Sequence, residues 1–461
     1  MLVFPSSIGF FGDTTASGGA SNVTVELGDS YTGSASSNTL TVSNVDLGTA
    51  ATDRVSVIGV AVNDGGQIPL KVEIKNSSSA FVQCGVIIET GTSSSFHAGG
   101  PFAAATGHAC GLYSLPTGSA TFGDNADVKV TFEGNPRLAI VSYALYNTNA
   151  GHIDKFFHNA STASMPQDIP AGGAVIGLCA GGESQTGTWA GDSVALTEDK
   201  DNIAGSGPVD PFLYSASNTY AAQSLAHDIT FEPASAHDDF ARTVVTFAPN
   251  TRISRVLTDR RFSGSDANSY TFSDCMLGTG KIIVAALTGN ETKDITGVTV
   301  DGNSCGSALT TNEQGGTYMA MFQHNGNTSA TGDIVVQMSS GNAGRCGILV
   351  YLVNNAEDSA TATANSTSNA QTTIDVPEGG LLIAVGHFGN GTTPDTITGV
   401  DPDAVVGTEA VYYGGSNPEQ LLSGASRWYP SASSGGAVEF SNSAATTQDV
   451  AISAVSFAES A

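Results

Sequence analysis

The residues 302–306, Gly-Asn-Ser-Cys-Gly, fit GxSxG, the pattern that presents a nucleophilic serine. Such a serine needs a strand, a sharp turn and then a helix, so that its hydroxyl stands clear of the sheet beside an oxyanion-binding amide. The preceding VTVDG predicts a strand running into an Asp-Gly hairpin turn, and the following SALTTNEQGG has no amphipathic helical period. No acyl-transfer chemistry is expected at Ser304. LGTGK at 277–281 matches half of a phosphate loop, but Cys275 stands where the pattern needs glycine and Ile282 where it needs Ser or Thr. That stretch is expected to be a turn between strands. Glu198, Asp199, Asp201 and Asn202 cluster oxygen ligands without the alternating spacing and glycine of a calcium loop, and predict a solvated acidic loop. His97, His108 and Cys110 fall at spacings that match no familiar metal site. The expectation is a protein that is not an enzyme, with no catalytic residue, no metal and no cofactor.

The elements around these residues are strands. VSVIGVAV (55–62), KIIVAALTG (281–289) and GILVYLV (347–353) are short β-branched runs, DVKVTF alternates with period two, and clusters of Gly, Asp, Asn, Ser and Pro close each run. No window keeps apolar residues at i, i+3, i+4 and i+7 over three turns. The chain also repeats itself. DIPAGGAVIGLCAGG (168–182) recurs as DVPEGGLLIAVGHFG (375–389), and NTLTVSNVDLG (38–48) as NSYTFSDCMLG (268–278). The run from Asp127 recurs from Asp333, pairing Arg137 with Arg345 and Tyr143 with Tyr351. The offset is 230 residues in the first block and 206 to 210 thereafter, as a tandem duplication with one insertion in the first half would give. Within the halves, VTFE at 130 recurs as ITFE at 229, and ITGV at 295 recurs at 397. The predicted fold is therefore all-β, four tandem antiparallel β-sandwich modules arranged as a duplicated pair, immunoglobulin-like or jelly-roll. The expected boundaries are 1–29 for an N-terminal attachment segment, then sandwiches at 30–155, 156–250, 251–360 and 361–461.

Charge excludes some partners. With 16 Lys and Arg against 43 Asp and Glu, a net charge of −27, the chain is repelled by nucleic acid and by anionic membrane surfaces. Hydrophobic residues make up 40% and arrive in strand-length packets, which separates the chain from disordered polar sequences. No apolar stretch reaches eighteen residues, so no membrane insertion is expected. The first Lys or Arg is Arg54, and Pro5 and Gly9 interrupt the apolar start, so no secretory leader is expected. Among the six cysteines, Cys346, Cys275 and Cys179 fall opposite Leu138, Val45 and Gly386 in the repeat, which predicts small hydrophobes and reduced thiols.

Three groups are candidate contacts. Trp428 falls opposite Tyr220 in the repeat, which suggests a core position, whereas Trp189, flanked by glycines in TGTWAGDS, is expected as an exposed loop aromatic touching a partner or a glycan. Arg252, Arg255, Arg260 and Arg261 bring four of the sixteen basic residues into ten positions, either to pair with acidic loops of flanking modules or to form a docking stripe. Leu2, Val3, Phe4, Ile8, Phe10 and Phe11 crowd six large apolar side chains into a segment broken by Pro5, Gly9 and Gly12, the shape of an extended attachment peptide.

The cassette ITGVTVDG, TYMAMFQ and GDIVVQMSSGNAGRCGILVYLV resembles the β-sandwich, jelly-roll-like modules in structural proteins of tailed bacteriophages and gene transfer agents, most clearly over residues 268–360. The resemblance implies a virion surface protein assembled in the host cytoplasm: capsid decoration or head spike, with a tail-fibre adhesin for host surface glycans or a secreted carbohydrate-binding protein as alternatives. Other virion proteins, of capsid or tail, would be its partners, and a homo-oligomer its expected state. No heptads or collagen-like run of a long fibre are present.

Overall fold

The structure, a computed structural model, describes residues 22–63, 69–91, 108–118, 122–132, 134–158, 164–182, 187–191, 196–203, 211–233, 240–289, 294–314, 317–339, 344–366, 371–389, 397–401, 405–413, 420–442 and 449–460. It is all-β, with several antiparallel sheets and no helix among the described residues. The largest sheet has ten strands, ordered in space Thr24–Ser34, Arg137–Tyr146, Val55–Asn63, Ala109–Pro116, Gly85–Gly91, Ser254–Ser263, Arg345–Asn354, Gly280–Gly289, Thr317–Asn327 and Thr310–Gln314. Five of these strands come from each half of the chain. The halves meet where Gly85–Gly91 lies beside Ser254–Ser263, paired at Val86 and Leu257.

Apolar runs fall in the middle of the stack because both of their faces are covered. In Val55–Asn63, Ile58, Val60 and Val62 pack against a four-stranded sheet that includes Thr39–Asp46 and Asn125–Thr131. Val57 and Ala61, on the opposite face, meet Ile176, Leu178 and Val245 of a five-stranded sheet, ordered Asp154–His158, Phe240–Phe247, Ala174–Gly182, Pro211–Thr219 and Thr197–Ile203. Alternating DVKVTF lies in the outer layer, with Val128 and Val130 inward and Lys129 outward. The second five strands are layered the same way. Ile283, Leu349 and Tyr351 face Leu381, Ile383 and Val455 of a five-stranded sheet that includes Ala362–Ser366, Gly380–Gly389 and Asp449–Phe457.

The repeats in the sequence recur as geometry. Asn44 and Asp274 both take positive φ, 61° and 54°, at a bulge between Val42 and Val45 in one strand and Phe272 and Cys275 in the other. Gly48 and Gly278 share φ values of 79° and 76°, where any Cβ would be strained. Asn147 and Asn355 (59° and 52°) and Gly172 and Gly379 (76° and 68°) repeat the match. One pairing from the sequence shifts by a residue. Gly172 N donates to Tyr220 O and Gly379 N to Tyr429 O, each at 2.8 Å, so Tyr429, not Trp428, is the counterpart of Tyr220. Trp428 is a core residue as expected, but its side chain points into the layer between sheets while Tyr220 packs within its own sheet pair.

Residues 251–461 carry every strand of the second half, and should be soluble and melt in one cooperative transition by calorimetry. Its midpoint should lie below that of the whole chain, because Ile153 and Ala248 of the first half complete one core of the second. Aggregation of this fragment would show the junction to be obligatory.

Candidate functional site

Asp301 and Gly302 have φ of 48° and 77°, and Val300 pairs with Asn303, so GxSxG is a two-residue hairpin. Ser304 is exposed on its short return strand, and its Oγ accepts from Gly306 N at 3.1 Å. Lys281 lies on Gly280–Gly289, buried over the Phe457 ring with Nζ donating to Glu357 O, and burial pushes its pKa down to about 8. The acidic run at 198–202 belongs to the strand Thr197–Ile203 instead of a loop, held by its pairing with Pro211–Thr219, and Asp199 accepts from Tyr143 Oη at 2.9 Å. His108 and Cys110 are buried, His97 lies outside the described residues, and no group of three metal-ligating side chains occurs among the described residues. Five of the six cysteines are buried, Cys346 and Cys275 in the core that matches the one holding Leu138 and Val45.

Trp189 differs from its expectation. It lies on the strand Gly187–Gly191, 6% exposed, edge-on to Phe231 at 5.1 Å between centroids. Its flanking Gly187 marks close packing instead of a loop, since a Cβ there would run into the Phe231 ring, and from the facing sheet a Cβ on Gly177 would come within 2.8 Å of the indole. The apolar residues Leu2 to Phe11 lie outside the described residues.

The four arginines sit together at the junction between halves. Arg255 is fully buried, its Nε donating to Ser426 Oγ, its guanidinium 5.6 Å from the Tyr351 ring, and its backbone bonded both ways to His152. Arg260 pairs with Glu89 at 3.0 Å, and Tyr113 Oη donates to the same carboxylate at 2.9 Å. Burial works against the Arg260 charge, yet the Glu89 carboxylate outweighs it and holds the guanidinium above its ordinary pKa. Arg261 grips Asp259 at 2.9 Å, and Arg252 pairs with Glu459 at 3.0 Å. Lys155 Nζ donates to Ile87 O at 3.1 Å, and Arg427 reaches Asp168 at 3.2 Å. The arginines are thus engaged inside the protein, with only Arg252 and Arg261 substantially exposed. Glu89, Lys155 and His152 carried no sequence signal of their own, since their partners lie about a hundred residues or more away or come from another layer. The duplication held the clue, because the junction joins one repeat to the next.

At the far end of the ten-stranded sheet a groove of about 220 Å³ opens between residues 308–311 and 363–365. Its lining is uncharged. Two amides span the gap: Asn365 Nδ2 donates to Thr311 O at 2.9 Å, and Asn312 Nδ2 to Ser366 O at 2.6 Å. Comparisons with protein-family models, curated proteins and solved structures gave no match.

The junction predicts an asymmetry on mutation. Arg260→Met should lower stability by about 3–5 kcal/mol in denaturant titration, because it takes the Arg260 charge away from the buried Glu89 carboxylate, whereas Arg260→Met with Glu89→Leu should recover most of the loss. Equal losses in the single and double variants would contradict this.

A pH dependence follows from the buried histidines. Neither ring nitrogen of His387 has a hydrogen-bond partner, and burial pushes its pKa down to about 3 from 6.5. The unfolded chain holds the extra proton between those values, so this stability is complete above pH 6.5 and falls as pH drops toward 3, by up to about 1.4 kcal/mol per unit. His152 acts with the same sign, its pKa lowered by burial and then by Arg255 and Lys155. Asp154 has the opposite sign: burial raises it from 3.8 to about 6, so it returns stability as pH falls through that window and offsets one histidine. The histidines should therefore pull unfolding free energy down from pH 6.5 to 4, a decline that Asp154 and Asp199, both raised by burial, offset in part. His387→Leu should flatten that decline by about 1.4 kcal/mol per unit; an unchanged slope would refute the assignment.

Proposed function

We propose that the protein is a non-enzymatic structural protein of a tailed-phage virion, displayed on the particle surface as capsid decoration or head spike, and built as four β-sandwiches arranged as a duplicated pair. The observation that carries this is the use of charge at the junction. Buried ion pairs and buried arginines fasten layer to layer and half to half, which suits a rigid projecting body. The exposed lining of the terminal groove is neutral, and a chain with net charge −27 resists nonspecific attachment to nucleic acid. The resemblance of residues 268–360 to virion sandwich modules supplies the setting, and capsid or tail proteins are the partners.

Attachment falls to the apolar N-terminal residues Leu2, Val3, Phe4, Ile8, Phe10 and Phe11, whose burial in a groove of a capsid or tail protein would contribute about 1.5–3 kcal/mol each before ordering costs. Immunogold labelling of intact particles should place the chain on the head. Gold at tail tips would favour the tail-fibre adhesin, and unlabelled particles would end the virion reading. Deleting residues 1–12 should leave the protein folded by circular dichroism and unable to bind particles; normal binding, or unfolding, would reject the segment as the anchor.

A further inference from the structure

The sheet edge that walls the terminal groove is the counterpart of an edge that is occupied in the first half. Leu27 lies opposite Tyr143 as Leu257 lies opposite Tyr351, so the first strand, Thr24–Ser34, corresponds to Ser254–Ser263. At the other side of each five-strand set, Ile88 lies opposite Leu112 as Thr310 lies opposite Met321. Leu112 and Met321 are themselves equivalent, paired to Gly59 and Ala285, which pair in turn to Val141 and Leu349. Thr310–Gln314 therefore corresponds to Gly85–Gly91. In the neighbouring layer Lys155 lies opposite Val245 as Thr363 lies opposite Val455. The wall of the groove formed by residues 308–311 thus matches the sheet edge that receives Ser254–Ser263 in the first half, and the wall at 363–365 matches the strand of Lys155 in the layer beneath.

We infer that the free edge at Thr310–Gln314 receives the first strand of a second copy of the chain, so that copies join head to tail through the contact that already joins the two halves. Both are edge strands: among the described residues, Thr24–Ser34 pairs only with Arg137–Tyr146, and Thr310–Gln314 only with Thr317–Asn327. Transposing the internal contact brings Leu27 against Ala308 where Leu257 meets Val86, and Ser30 against Thr311 where Arg260 meets Glu89. Val25 meets Ala360 where Arg255 exchanges backbone hydrogen bonds with His152. Apolar faces apolar and hydroxyl faces hydroxyl, and no like charges meet at these positions. The Glu26 carboxylate on the incoming strand is already held by Tyr146 Oη at 2.8 Å. Tyr31, one of few large apolar side chains left exposed, lies on the same strand at 40%. Thr311, exposed where Glu89 is buried, lets the free edge stand in water, so the contact between copies is weaker than the internal one and reversible. It is heterologous, and builds rings or open rows.

Sedimentation velocity on the full chain tests this. The average mass should rise with concentration over about 1 to 200 µM. Thr311→Glu or Ser30→Arg alone should weaken association about tenfold or more, because each puts an unpaired charge into the contact. Mixing the two variants re-creates the Glu and Arg pair of the internal junction, and should restore assembly. Both positions lie at the surface, and unchanged near-ultraviolet circular dichroism will verify folding. A chain that stays monomeric throughout, association indifferent to both variants, or variants that fail to reassemble on mixing would each overturn the inference.

Discussion

Burying a carboxylate costs several kcal/mol unless a cation and hydrogen bonds meet it, and Glu89 is met by Arg260 from the second half and by Tyr113 from its own. The rest of the arrangement depends on that meeting. Once Arg260 is held, Ser254–Ser263 lies along Gly85–Gly91, and two five-strand sets become one ten-strand sheet. Lys155, reaching Ile87 O from the adjacent layer, and Arg427, reaching Asp168, fix the flanking sheets against the same seam. Apolar burial forms the layers, but it is non-directional and would tolerate sliding. Ion pairs with defined geometry set the register between halves.

The buried polar groups also mark where the chain departs from a purely apolar interior. His152, Asp154, Lys155 and Arg255 stand within a few residues of the junction, and their titrations pull in opposite directions. Acid penalises the histidine and relieves the aspartate. The seam is therefore less sensitive to pH than either group alone, which is useful in a joint meant to stay shut.

Strand type and repeat were legible in the sequence because both rest on local pattern. DVKVTF announced its outward lysine, the Asp-Gly turn before Ser304 announced a hairpin, and cysteines facing Leu138 and Val45 announced core positions. Trp189 was misplaced because Gly187, which makes room for the Phe231 ring of the paired strand, looks in sequence like a loop glycine. The acidic run at 198–202 was misplaced because an edge strand carries the same polar composition as a loop. The arginine cluster was visible as a cluster, and Asp259, the partner of Arg261, stands inside it; the other carboxylates, Glu89 and Glu459, lie far away along the chain.

Arg252 opens the second half and Glu459 all but closes it, yet the two side chains are 3.0 Å apart, with Ile253 N bonded to the same carboxylate. The half begins and ends at one spot. A unit whose entrance and exit coincide can be copied behind itself with a connector of a few residues, without disturbing either copy. It can also be opened elsewhere and closed here. Lengthening such a chain by another unit needs no new fold, and circular permutants joined between residues 459 and 252 should find their backbone already waiting.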